Sequence, residues 1–381
     1  MNILYLNWGY VYDKSIIRAF QEYDMSVEVL DLPMEYCFSN TRNTIEKEKS
    51  LFTNLINNKI GTTIDIVFSV NFSSLVSEIC EKVKIPYASW ILDLPNFDLY
   101  TKSIYNSCNY IGICDSFLVQ KMLKIGVAKV FYLPDAIEII KELPKNYKER
   151  ELCFIAKQPA IALSSKNISL YSKGYLEAFF HSQRVLLGEN ILEDGLINRV
   201  YSELQVSNTI PDNIVSSLKK LYFSDCYLAP SCTVLQQNIF IQNNQNIITI
   251  YSNGKFEMCE CAKFPYIGDE NIRAEKYAQK EFSLVLTPCH MHHAIDRSVL
   301  EIVAAGGFAI SSYQKDYDYH FVNGETIAYF RNTSEFYNIL NKYGNNKEER
   351  DRLRESAYNE IKKNHTYKNR IKSMLYFWET I

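Results

Sequence analysis

A chain of 381 residues with 47% apolar and 22% charged side chains carries enough material for two ordinary cores and is not the composition of a disordered protein. With 41 basic against 44 acidic side chains, the formal charge of -3 gives no global attraction for a phosphate polymer, so nucleic acid is not an expected partner. No apolar run reaches the roughly 18 residues needed to span a bilayer. The start MNILYLNWGYVYDK lacks a basic leader and a small-residue cleavage site, so a cytoplasmic location without a transmembrane segment is expected.

In chain order, a strand-like run Asn2 to Trp8 leads to an amphipathic stretch with Ile16, Ile17, Phe20 and Tyr23, then to Ser26–Leu32, a βαβ opening. A polar, helix-compatible stretch, Asn43 to Lys59, precedes the apolar run Ile64–Phe68. Alternation continues with a helix from about Ser73 to Val83, strands at Tyr87–Leu92 and Tyr110–Cys114, a helix at Ser116–Ile125 and a strand at Val130–Leu133. Strands this apolar, separated by helices, predict a parallel sheet covered on both faces. The polar stretch from Glu138 to Arg150 reads as a linker.

The second half alternates again, with strands at Leu152–Ala156, Asn246–Tyr251, Phe282–Thr287 and Phe308–Ser312 and helical material through about Tyr222. Residues 225 to 265 show no clear period. A helix capped near Asn332 and Glu335, a charged helix from Lys347 to Asn364 and a last helix after Thr366 close the chain. In the last helix Tyr367, Ile371, Met374, Leu375 and Trp378 share one face and must dock. The ten cysteines are scattered through apolar surroundings with no paired framework and read as reduced, mostly core residues.

The most informative segment runs from Asp296 to Ser312, as helix, two glycines, strand. Asp296 is a competent N-cap, and Gly306-Gly307 allows the left-handed turn that ends a helix just before a strand. Glu301 is the unusual member, because an ionised carboxylate in an apolar helix is costly unless something hydrogen-bonds it. A nucleotide ribose would do so, and the helix N-terminus with Arg297 would suit a diphosphate. An Arg297–Glu301 ion pair at i,i+4, worth only about 0.2–0.5 kcal/mol, explains the same two residues. Both readings stand at this point.

The stretch Leu284 to Ile371 resembles the C-terminal domain of glycosyltransferases of the spore-maturation-protein type, a GT-B branch distantly similar to retaining family four. The likeness rests on Arg297 and Glu301 ahead of Ala305-Gly306-Gly307-Phe308, Asn323-Gly324-Glu325 before Tyr329, and His365-Thr366-Tyr367 with Arg370. The blocks Val70-Asn71-Phe72, Ile85 to Pro95 and Tyr132 to Ala136 resemble the N-terminal domain found with it.

The resemblance implies two Rossmann-like doubly wound α/β domains facing a cleft: residues 1–145 on the acceptor side and 146–365 for the nucleotide-sugar, with the helix 366–381 packing back on the first. It implies Glu301 on the ribose, and Arg297 with the adjacent backbone at Ser298 near the diphosphate. Family-four enzymes carry a further glutamate eight positions before the conserved one; here that position is His293. His293, with His292 beside it, is therefore a candidate for the donor sugar or phosphate, and retention of configuration is not carried over.

Further candidates come from position. Lys280 precedes one strand and Lys157 follows another, and either is equally a surface lysine. Gly9 follows the first strand, where backbone can approach a ligand. Asp93 ends a buried strand, and is either a general base or acceptor contact or a capping aspartate. The run Cys289-His290-Met291-His292-His293 is too contiguous for a zinc site, and Asp316-Tyr317-Asp318 reads as a solvated turn. No metal and no other cofactor is expected, the nucleotide-sugar being a substrate.

The function expected is transfer of a sugar from a nucleoside-diphosphate donor, UDP-linked, to a protein or cell-surface glycan; a GT-B epimerase or phosphorylase, or a non-catalytic nucleotide-sugar-binding protein, are the alternatives.

Overall fold

The computed structural model describes residues 1–32, 54, 64–139, 151–156, 210–245, 247–254, 256 and 262–380. The helix-compatible stretch at Asn43–Lys59, apart from Asn54, lies outside the described residues, as do Lys157 and most of the segment expected to be helical before Tyr222. The chain forms two compact units, one of Met1–Asp135, Ile210–Tyr222 and Tyr367–Ile381, the other of Ala136–Thr209 and Phe223–Thr366.

The first unit alternates β1 (Asn2–Asn7), α1 (Asp13–Gln21), β2 (Ser26–Asp31), β3 (Ile66–Val70), α2 (Ser74–Val83), β4 (Tyr87–Ile91), β5 (Asn109–Ile113), α3 (Ser116–Lys124) and β6 (Val130–Tyr132). The strands pair in parallel in the order β2-β1-β3-β4-β5-β6. Every residue of β3 and β4 is buried, which is why these runs lack a polar alternate and read as continuous apolar segments. Helix starts follow side-chain chemistry: Ser73 Oγ accepts from the Val76 amide at 3.4 Å, and Asp115 Oδ1 from the Phe117 amide at 2.9 Å.

The second unit contains β7 (Leu152–Ala156), α4 (Ala229–Asn244), β8 (Ile248–Ser252), β9 (Lys263–Phe264), α5 (Glu270–Gln279), β10 (Phe282–Val285), α6 (Arg297–Ala304), β11 (Ala309–Ser312), β12 (Ala328–Phe330), α7 (Thr333–Asn345) and α8 (Lys347–Asn364). Its sheet is also parallel, in the order β12-β11-β10-β7-β8-β9. Alternate strand residues feed two cores. Cys153, Ile155 and Val285 pack with Tyr277, Val299 and Ala357 on one face, and Leu152, Phe154 and Leu284 with Phe240, Phe336 and Tyr343 on the other. Burying one such aliphatic or aromatic side chain contributes about 1.5–3 kcal/mol, so both helical layers are held by the sheet between them.

The chain ends in α9 (Tyr367–Thr380), which belongs to the first unit. Tyr367, Ile371 and Met374 are buried, Trp378 stacks on Phe20 of α1 and Phe377 on Phe131 of β6.

In each sheet the chain reverses direction of growth once. In the first unit the switch lies between β1 and β3, and in the second between β7 and β10. The C-terminal ends of strands beside such a switch are where open parallel sheets leave a crevice.

Candidate functional site

In the second unit, β10 leads through Leu286–Ile295 into α6. Asp296 caps the helix, its Oδ1 accepting from the Ser298 amide at 2.8 Å. The Ser298 N–H expected to meet a phosphate is thus already taken by an anionic side chain. Gly306 has φ +75°, and Gly307 is required for space: a Cβ there would lie 2.9 Å from Ile302 Cγ2 and from the Tyr277 carbonyl oxygen. The missing side chain is what brings α5, α6 and β11 together.

That closeness gives Glu301 a partner the sequence did not reveal. Arg273 of α5 donates from Nε to Oε2 and from Nη2 to Oε1, each at 3.1 Å, while Arg297 Nε is 3.3 Å from Oε1. The i,i+4 ion pair and a bidentate arginine therefore satisfy Glu301 inside the protein, so the carboxylate does not by itself demand a ligand. Arg297 also donates to the Ala136 carbonyl at 3.1 Å and lies 3.9 Å from Glu270. Its charge at the helix N-terminus is balanced by two glutamates.

The histidine loop is divided. His292 Nε2 lies 2.9 Å from Asp225 Oδ1, with the two side chains 1% and 2% exposed, so His292 is turned into the interior and corrected as a candidate ligand contact. Burial pushes the His290 imidazole down to about 4; Asp225 opposes the shift and His292 adds to it. Cys289, whose amide donates to Thr233 Oγ1 at 2.9 Å, has its thiol pushed up to about 12, chiefly by burial. His293 is half-buried, and its carbonyl accepts from the Asp316 amide at 3.0 Å. Of the three histidines in the run, His290 and His293 are half-buried and His292 is buried.

Two further expectations change. Lys280 pairs with Glu151 at the N-terminal edge of the sheet, ahead of β10 and β7, whereas α6 begins beyond the C-terminal edge. It is therefore not placed with Arg297. Asp316-Tyr317-Asp318 is not a solvated turn: Asp316 and Tyr317 are fully buried, and only Asp318 is exposed, accepting from Tyr313 Oη at 2.5 Å. Among the described residues no group of three or more His, Cys, Asp or Glu converges as a metal set.

The first unit has its own polar cluster at the β1/β3 switch. Asn71, directly after β3, is buried with φ +59°, a conformation that costs a non-glycine residue energy. Its Oδ1 accepts from the amides of Leu92 and Asp93 at 3.0 Å each, and its Nδ2 donates to Asp93 Oδ2 at 2.8 Å and Tyr10 Oη at 2.9 Å. Tyr12 Oη adds a second donor to Asp93 Oδ2 at 3.1 Å, and the Tyr10 and Tyr12 rings stack at 5.2 Å. Asp93 is exposed, and both of these side-chain donors bond the same oxygen, Oδ2. Gly9, directly after β1 and two residues on from Asn7, has φ +83° and open space where a Cβ would stand, and its amide donates to Asn7 Oδ1 at 3.0 Å. Behind it, Asp13 is buried and accepts from Tyr5 Oη at 2.6 Å; burial raises its pKa against that hydrogen bond.

Sequence reading missed Arg273, Asp225 and Asn71. Arg273 sits in a charged helix where nothing local marks it, and the partners of the three lie 28, 67 and 22 residues away.

Two parallel six-stranded sheets, each covered by helices, are the architecture of the GT-B glycosyltransferases. The chain is similar in fold to trehalose-6-phosphate synthase of E. coli bound with UDP-2-fluoro glucose, at 10% identity over 100% of this chain and 99% of that chain, TM-score 0.55. It is similar to sucrose-phosphate synthase of Thermosynechococcus elongatus at 9% identity, 100% and 98% coverage and TM-score 0.54. Anabaena HepE in complex with UDP-glucose matches at 9% identity, 100% coverage of both chains and TM-score 0.52. Residues 273–376, from α5 into α9, match the family model described as glycosyl transferase-like. Among curated proteins none matches the chain in sequence.

Proposed function

We propose that the chain is a glycosyltransferase of the spore-maturation-protein type that moves a sugar from a nucleoside-diphosphate donor, UDP-linked, to a protein or cell-surface glycan in the cytoplasm. The observation that carries this reading is the coincidence of the glycosyl transferase-like match at residues 273–376 with the GT-B fold and with the helix bearing Glu301. Fold neighbours whose structures hold UDP-glucose or UDP-2-fluoro glucose support the donor class. In this reading residues 146–365 handle the donor and residues 1–145 the acceptor.

Glu301 receives a ribose hydroxyl, and the Arg297 side chain meets the diphosphate, since the Ser298 amide is already capped. A cation and a helix N-terminus stabilise the negative charge that develops on a leaving diphosphate, the role a divalent metal takes in other transferases. His293 contacts the donor sugar. Asp93, held in place by Asn71 and Tyr12 with an oxygen open to solvent, takes the proton of the acceptor hydroxyl.

The test is release of free nucleoside diphosphate from a panel of nucleotide-sugars, with and without protein and glycan acceptors, in the presence and absence of EDTA. Acceptor-dependent release that survives EDTA is expected. An epimer formed from donor alone would sink the transferase reading, and binding without turnover under any acceptor would favour a non-catalytic nucleotide-sugar-binding protein, consistent with His293 in place of a glutamate.

A further inference from the structure

Resting on the reading that Glu301 meets the donor ribose, we propose that Arg273 is the positioning residue that sets how Glu301 does so, and that it makes the site selective for ribonucleotides over deoxyribonucleotides. Arg273 is 9% exposed and every part of its guanidinium is engaged. Nε and Nη2 form the fork on Glu301, Nη1 donates to the carbonyls of Gly268 at 2.9 Å and Ile267 at 3.3 Å, and Nη2 is also 3.6 Å from Glu270 Oε1. A guanidinium has five N–H groups; four are hydrogen-bonded within the protein and the fifth is on the side of Nη2 that faces Glu270. Arg273 is therefore committed to the protein and acts through Glu301.

The clamp is rigid because its base is rigid. Asp269 caps α5 through the Asn271 and Ile272 amides at 2.9 and 3.0 Å, which fixes the turn whose carbonyls hold Nη1. On the other side, the close packing at Gly307 fixes α6 against α5. The carboxylate plane of Glu301 is thereby set by two helices.

An ionised carboxylate offers about four acceptor positions. Arg273 takes one on each oxygen and Arg297 a second on Oε1, leaving one open on Oε2. Arg297, with its side chain 22% exposed, is the partner able to leave. When it turns to a diphosphate, each carboxylate oxygen keeps its bond to Arg273 and presents one open acceptor. The fork fills the two facing acceptor positions, so the open ones lie on the outer edges of the carboxylate and point apart; one of them receives the ribose 2′-hydroxyl, and a 2′-deoxyribose leaves that acceptor unfilled. Without the fork the carboxylate is free to rotate, and that placement is lost.

The experiment uses the full chain and compares UDP, GDP, ADP and CDP with their 2′-deoxy counterparts by calorimetry, in the wild type, Arg273→Lys and Arg273→Gln. The wild type is expected to favour its best ribonucleotide by about tenfold or more, the factor that one lost hydrogen bond to a charged group carries. In both variants that ratio is expected to fall toward about one, with the weaker deoxynucleotide affinity little changed. A ratio taken on one preparation is independent of the folded fraction, so a variant that folds poorly still reports. A wild type that discriminates together with variants that discriminate equally overturns the role of Arg273 alone. A wild type that binds ribo- and deoxynucleotides alike overturns ribose contact by Glu301, and one that binds no nucleotide overturns the donor reading, and the inference falls with either.

Discussion

At the scale of single residues, the bidentate bond between Arg273 and Glu301 changes what a substitution at Glu301 means. Removing the carboxylate strips Arg273, 11% exposed in its side chain, of its counter-charge. Breaking one side of such a pair costs about 3–5 kcal/mol. Glu301→Ala is therefore expected to lower stability measurably in urea titration as well as to weaken nucleotide binding. Unchanged stability would mean the pair is solvated and loose. His290 supplies a pH dependence with a definite sign. Its folded pKa, pushed down to about 4 by burial, lies below the ordinary value of 6.5, so the unfolded chain binds the proton first as pH falls. Stability is fully present above pH 6.5 and is lost between 6.5 and 4, by about 1–3 kcal/mol from this one ring. His290→Gln is expected to flatten that part of a melting-temperature profile; a profile identical to the wild type would place the proton elsewhere.

At the scale of elements, the loop from β10 to α6 is held through a buried ring rather than through its backbone alone. His292 ties it to Asp225, just ahead of α4. Asp225→Ala is expected to cost about 3–5 kcal/mol and to raise the mobility of residues 289–295, read by hydrogen exchange. Protection equal to the wild type would show that Pro288 and Asp296 suffice to hold the loop.

The same elements show what was legible. Strands β1, β3, β4, β7, β10 and β11 could be read because burial on both faces leaves apolar runs whose interiors hold nothing more polar than serine, and Ser73, Asp296 and Asn332 mark helix starts by cap chemistry. Helix α4 could not be read. It buries Thr233, Gln236, Gln237 and Asn244 beside Phe240 and Ile241, so its polar and apolar residues do not divide into two faces. Thr233 and Asn244 turn back on the carbonyls of Ala229 and Phe240 at 2.9 and 2.8 Å, which lets them be buried there. In the site, Glu301 stood out locally, whereas its clamp depends on α5 lying against α6, a fact of packing that no spacing encodes.

At the scale of the whole molecule, the order of the chain and the order of folding units differ, and this has a measurable consequence. The first unit draws its sheet from Met1–Asp135 but its cover on α1 from Tyr367–Ile381. Arg370 of α9 donates from Nε to the carbonyls of Pro134 at 2.9 Å and Asp135 at 3.2 Å; burial pushes its pKa down to about 10, which still leaves it protonated at neutral pH. Tyr367 packs edge-on against Trp90 with ring centroids 6.1 Å apart, and truncating a buried aromatic of this kind costs about 3–5 kcal/mol. That is a large part of the 5–15 kcal/mol a domain has in total. A fragment of residues 1–135 is accordingly expected to leave Phe20, Trp90 and Phe131 uncovered, to bind ANS, and to unfold without a cooperative transition. In the full chain, Tyr367→Ala is expected to shift the urea midpoint of the Trp90 fluorescence transition downward. A fragment that melted as sharply as the intact protein would mean that α9 decorates the first unit without holding it. The sheet alone could then be treated as an independent fold.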